Sequence, residues 1–184
     1  MKVDRGLGSG YWHAMFRLDR PLGLAELERA FAEGEAPRDL DGPIRGRLVA
    51  TTIGHGVDRP AELLARAWMP WKGKTFAPAT GGGRNLFTRG GDRAIGLAFR
   101  GYVGGGSDAT GPTAFRFATS VGPSATHPEV DVLRIDYDLA ENPAWPVRKV
   151  LDELVAVGDG IYLGQALLNW RGSLRRAAWF SLER

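Results

Sequence analysis

Three groups of residues in this chain have the types and spacing to do chemistry. The first is the run 130–139, whose alternation sets Leu133, Ile135 and Tyr137 on one face and Val132, Arg134, Asp136 and Asp138 on the other. Turned into an apolar enclosure, Arg134 and Asp136 would form a charged pair able to orient a ligand carboxylate or carbonyl, and Asp136 or Tyr137 could serve as acid or base. Turned outward, the same residues are a solvated face. The second group is Gln165 and Asn169, which share a strand face with Ile161, Leu163 and Leu167. Amides among aliphatics need partners when buried, and they suit an apolar lumen with a few placed hydrogen-bonding groups. The third is Trp68-Met-Pro-Trp-Lys-Gly-Lys-Thr-Phe76, where Trp68, Trp71 and Phe76 either wall a pocket for an apolar or flat ligand or plug a core.

Other chemistries are excluded. The three histidines, His13, His55 and His127, stand at no zinc-enzyme spacing, and there is no cysteine to supply a thiolate, a disulfide or a nucleophile. Residues 104–109 match Gly-x-Gly-x-x-Ala in form, but they lie between strand-like runs with no helix after them, so they are a turn and not a dinucleotide fingerprint. The 24 basic and 21 acidic residues leave a net charge of +3 with no concentrated stripe, which argues against nucleic acid as a partner. The opening Met1-Lys-Val-Asp-Arg-Gly has no apolar core, and no run approaches membrane-spanning length. The expectation is a cytoplasmic protein with no membrane partner, its oligomeric state open between monomer and homodimer.

The elements that must position these residues follow from periodicity. Residues 22–33 read as a helix, with Leu24, Leu27 and Phe31 on one face, and Tyr11–Phe16 as an edge strand or a plugging segment. Residues 44–53 alternate as a strand, and Asp58 with Pro60 begins a helix that leads to Trp71. From there the signals are β: 85–89, 93–100, 113–120, 130–137, 161–170 and 174–182 read as strands between Gly- and Pro-rich turns. One helix interrupts them, starting at Asn142 and striped by Val147, Val150, Leu151 and Leu154. Many short strands with few helices predict a mainly β protein, a single antiparallel barrel or sandwich.

Gly42-Pro-Ile-Arg-Gly46, Ala50-Thr-Thr-Ile-Gly-His55, Leu63-Leu64 and Trp71-Lys-Gly-Lys-Thr-Phe76 together resemble the bacterial proteins named for a GXWXG motif. Ile135-Asp-Tyr-Asp, Tyr162-Leu-Gly164 and Phe180-Ser-Leu-Glu-Arg184 resemble the ending of the second block that follows in that family. Ile44 stands where the family has its opening Trp. The resemblance implies a calycin- or lipocalin-like barrel with two or three short helices, and no established activity. It divides the single domain 1–184 into an N-terminal arm and helix (1–40), the GXWXG-like segment (41–80) and the strand-rich remainder of the barrel (81–184). It also places His55 at the family's His position, a candidate general base or haem ligand.

Three functions follow. The barrel could bind an apolar or amphipathic small molecule in its lumen without a cofactor, oriented by Arg134, Gln165 or Asn169. It could be a cofactor-free isomerase or cyclase using His55, Asp136 or Tyr137. Or it could hold haem on His55. The first is the expectation that fold and composition favour, on analogy of fold.

Overall fold

A computed structural model describes residues 9–38, 40–52 and 70–184. Helix α1 (Ser9–Leu18) runs into α2 (Arg20–Ala32). Asp19 breaks the two apart and caps α2 by accepting the Leu22 amide at 3.0 Å, with Pro21 in the first turn where its missing N–H costs nothing. Tyr11–Phe16 is therefore helical, not an edge strand.

Eight antiparallel strands then close a barrel: β1 (Gly42–Thr51), β2 (Trp71–Ala77), β3 (Gly82–Phe87), β5 (Gly111–Pro123), β6 (Asp131–Asp136), β7 (Val150–Gly158), β8 (Ile161–Trp170) and β9 (Ser173–Glu183). Neighbours run β3-β2-β1-β9-β8-β7-β6-β5, and β5 pairs back onto β3, so the ring has no free edge. A three-residue strand, β4 (Gly106–Asp108), adds a flap to the start of β5. This is the mainly β, calycin- or lipocalin-like barrel that the sequence predicts, with three short α-helices among the described residues.

One strand assignment and one helix assignment need correction. Residues 93–100 are not a strand: helix α3 (Gly91–Ala98) covers them, with Ile95 and Phe99 buried four apart on its inner side. The helix expected from Asn142 to Leu154 is a 3-10 turn at Val147–Lys149 followed by β7. Covered on both faces, β7 carries apolar residues without strict alternation, and their spacing imitates a helical stripe. The helix predicted from Asp58 lies outside the described residues.

Barrel closure sorts the apolar side chains into two clusters. The lumen holds Ile44, Phe76, Phe87, Phe115, Phe117, Leu133, Ile135, Tyr137, Leu154, Tyr162 and Phe180. A second cluster lies on the outer surface, where α1 and α2 lay Trp12, Leu27 and Phe31 on Val49, Val132, Val155, Leu163 and Trp179. Leu27 and Phe31 are wholly buried there, each contributing about 1.5–3 kcal/mol of transfer free energy. The outer helices thus brace one wall, and the lumen is left to the opposite faces of the same strands.

Candidate functional site

The site grows from the short run Trp71-Lys-Gly-Lys-Thr-Phe76. In an unbroken strand Trp71 and Lys74 would face opposite ways. The β2–β3 register skips Lys72, pairing Trp71 with Phe87 and Gly73 with Leu86, and this bulge turns Trp71, Lys74 and Phe76 all inward. Gly73 occupies the bulge at φ 146°, where an added Cβ would lie 2.1 Å from the Ile44 carbonyl oxygen. Only glycine fits that approach. Gly46 on β1 clears the space above, since a Cβ there would meet the Trp71 ring at 2.3 Å.

A second bulge faces the first. Phe115 on β5 has a positive φ of 52° and drops out of the β3–β5 register, between the pairs formed by Arg84 and Asn85. Its free amide donates to the Tyr102 hydroxyl at 2.7 Å, so the irregularity leaves no orphaned N–H. The kinked strand sends Phe115 and Phe117 into the lumen, opposite Asn85.

Lys74 is the centre of the result. Its side chain is 2% exposed, and the Nζ donates to Asp152 Oδ2 at 2.7 Å, to Asn85 Oδ1 at 3.0 Å and to the Tyr137 hydroxyl in a very short contact. Three donors meet three acceptors, which is all an ammonium can do. Four rings close around it, with centroids of Tyr137, Phe180, Phe117 and Trp71 at 5.1, 5.3, 5.4 and 5.6 Å. The ring faces add cation–π attraction in a site shielded from water. Trp71 Nε1 donates to Asn85 Oδ1 at 3.1 Å, and Asn85 Nδ2 donates to the Tyr137 hydroxyl at 3.0 Å, tying the wall to the cluster.

Burial disfavours every charge here. It pulls the Lys74 ammonium below its usual range, and the facing Asp152 carboxylate opposes that pull. Burial and the same carboxylate push the Tyr137 phenol well above its usual range. One atom is left over. Asp152 Oδ1 is buried without a hydrogen-bond partner among the described residues, while Oδ2 takes both Lys74 and the Tyr137 hydroxyl. An unpaired carboxylate oxygen in an apolar setting costs a desolvation penalty that a ligand donor would relieve.

Asp152, Lys74, Asn85 and Tyr137 line one side of a cavity whose other walls are Leu48, Trp71, Phe87, Phe115, Phe180 and the segment Pro146, Val147 and Val150. The aromatic side chains fill most of the barrel and leave about 50 Å³ of free room, space for a few waters or for one end of a small molecule. Asn142 holds the 137–149 loop over this end, donating from Nδ2 to the carbonyls of Arg116 and Tyr137 at 2.6 and 2.8 Å.

Of the residues singled out from sequence, Trp71, Phe76 and Tyr137 reach the lumen. Phe76 packs edge-on against Phe117 and is part of the filling. Arg134 and Asp136 are corrected to the outward face of β6, because the lumen face belongs to Leu133, Ile135 and Tyr137; Asp136 Oδ1 accepts the Asp138 amide. Gln165 is buried but outside the barrel, where Nε2 donates to Glu153 and Thr126 and Oε1 accepts from Arg176. Asn169 is exposed and accepts the Gly172 amide in the β8–β9 turn. Neither amide orients anything in the lumen. His55 and Trp68 lie outside the described residues.

Lys74, Asn85 and Asp152 were not foreseen. A lysine in a Lys-Gly-Lys run reads as solvated, Asn85 as a strand start, and Asp152 as a helix residue. The available signal for Lys74 was the glycine between the two lysines, which marks a bulge and hence a change of face. No described histidine lines the cavity, His55 lies outside the described residues, and the filling leaves far less room than cofactor pockets usually offer. Among the described residues no group of three or more His, Asp or Glu is placed to hold a metal ion, and no helix is long and apolar enough to cross a membrane.

No family model matches the chain, and a search of curated proteins gives no significant relative. Among solved structures, a crystal structure of a protein from Thermomonospora curvata aligns over 87% of this chain and 86% of its own, with 17% identity and a TM-score of 0.47.

Proposed function

We propose that the barrel binds a small amphipathic molecule, whose hydrogen-bond-donating end reaches Asp152 and whose apolar part rests on the aromatic wall. The observation that carries this reading is the buried Asp152 Oδ1, without a partner among the described residues, beside an apolar cavity. Lys74 is already saturated by protein acceptors, so its role is to hold Asp152 aimed, not to meet the ligand. A hydroxyl, amine or amide N–H on an apolar body fits this demand; an ether or hydrocarbon does not.

The test is a pair of probes with the same benzyl body, benzyl alcohol and its methyl-capped form benzyl methyl ether, titrated while the Trp71 indole and neighbouring resonances are followed by NMR. The alcohol is expected to bind with shifts at Trp71 and Tyr137, and the ether about tenfold more weakly. Equal affinities would remove Asp152 from the account.

An acid–base enzyme is the second reading, favoured by the buried hydrogen bonds that join the Tyr137 hydroxyl to Lys74 and Asp152 at the cavity wall. In that case Tyr137 would deliver or take the proton, with Lys74 and Asp152 setting its acidity. Exchange of an α-proton of a small ketone, lost in Tyr137→Phe, would support it. Membership of the GXWXG family is likewise a proposal; its support is that Gly46, Trp71 and Gly73, drawn from two of the quoted motifs, meet in one contact.

A further inference from the structure

A second feature lies at the rim, on the hairpin that joins β8 to β9. Trp170 pairs with Ser173, so the turn is the two residues Arg171 and Gly172, both left-handed with φ of 52° and 82°. A two-residue turn with two positive φ angles takes Asn-Gly, Asp-Gly or Gly-Gly for preference. An arginine in its first position is strained and adds nothing to the turn. What the position does give is placement: the Arg171 guanidinium sits 5.8 Å from the centroid of the Trp170 ring. Trp145, 41% exposed, meets Trp170 at 5.6 Å and 58°, and the two indoles form the walls of an open groove of about 460 Å³.

The remaining lining residues are Lys149, Asn169 and Gly172, with no carboxylate among them. Arg148, next along the chain, is neutralised by Asp138 at 2.6 Å. Lys149 and Arg171 form no ion pair among the described residues. The groove therefore offers two aromatic side chains and two cations that no described carboxylate pairs, and its size suits a ligand of one or two rings.

We propose that this groove is a binding site for a small planar aromatic anion, an aryl carboxylate or sulfonate. The ring stacks on one exposed face of the tilted Trp145–Trp170 pair, and the anionic group is held by Arg171 and Lys149. The site is separate from the lumen and does not depend on Asp152 or Lys74.

The probe is 2-naphthoate, with neutral 2-naphthamide as the control, titrated against the intact protein by NMR. The indole resonances of Trp145 and Trp170 are expected to move, those of Trp71 to stay, and the amide to bind about tenfold more weakly. Arg171→Gly removes the guanidinium and also relieves the left-handed strain, so it is expected to leave the melting temperature unchanged or higher while weakening naphthoate about tenfold. Trp145→Ala, at a half-exposed position, is expected to weaken both probes alike. Equal binding of naphthoate and naphthamide, unchanged affinity in Arg171→Gly, or shifts centred on Trp71 would each overturn the proposal.

Discussion

Asp152 and Glu153 are neighbours on β7 and point to opposite sides of the barrel wall, both almost fully buried. Outside, Glu153 is completed by the protein itself. Its Oε1 accepts the Ala125 amide at 2.8 Å, and its Oε2 accepts Ser124 Oγ at 2.6 Å and Gln165 Nε2 at 2.8 Å. Gln165 in turn accepts from Arg176, which reaches Glu28 on α2. Inside, Asp152 has Lys74 and Tyr137 on one oxygen and, among the described residues, no partner on the other. A closed network fixes the helices to the wall; the inner one, among the described residues, leaves one carboxylate oxygen without a partner. Buried polarity alone does not distinguish structure from site, whereas its completeness does.

The comparison can be broken most forcefully at Lys74. Lys74→Met strands the Asp152 charge and is expected to cost about 3–5 kcal/mol in urea denaturation, most of it recovered by adding Asp152→Leu. A loss that the second substitution does not restore would mean that Lys74 acts mainly by packing.

On the outer side, Glu153→Ala leaves three donors without an acceptor and is expected to cost about 3 kcal/mol. Benzyl alcohol binding should be unaffected in the surviving folded protein. Altered binding would show that the two clusters are coupled through β7.

Asp152→Asn sharpens the contrast. It keeps an acceptor for Lys74 and is expected to cost about 2 kcal/mol, less than the outer change. Its new amide donor is met by the oxygen of either probe, so the wild-type preference for benzyl alcohol over benzyl methyl ether is expected to disappear.

The smallest effect is in pH. The folded-state pKa of Tyr137 is raised above 10.0, so the stability it contributes is whole below that pH and is lost as pH rises through the folded value. Lys74, lowered from 10.5, carries a penalty that is full below its folded value and is relieved as pH rises toward 10.5. The stability gap between wild type and Tyr137→Phe is therefore expected to narrow above about pH 10, and that between wild type and Lys74→Met to move in favour of wild type as pH approaches 10.5.

The barrel was largely legible. Strands with one lumen face and one polar face, such as β6, show their alternation openly, and Gly/Pro turns bound them. The helix α2 was equally plain in Leu24, Leu27 and Phe31. Where both faces are covered, as in β7, alternation disappears and Val147, Val150 and Leu154 imitate a helix; Asp152 was hidden with them. The site was half legible. Trp71, Phe76 and Tyr137 announce themselves as large aromatics in β-like runs. Lys74 does not, since its inward turn depends on the Lys72 bulge and on partners 11, 63 and 78 residues away. Gln165 was correctly read as an amide buried among aliphatics and assigned to the wrong face, because coverage by α2 makes the outer surface as dry as the lumen.

The most direct measurement is a crystal structure of the protein purified from its own host, at a resolution that orders the cavity. The account predicts density for a small molecule with a donor atom about 3 Å from Asp152 Oδ1 and its apolar part against Trp71 and Phe180. A cavity holding only water, or an Asp152 rotated so that a protein group satisfies Oδ1, would contradict it.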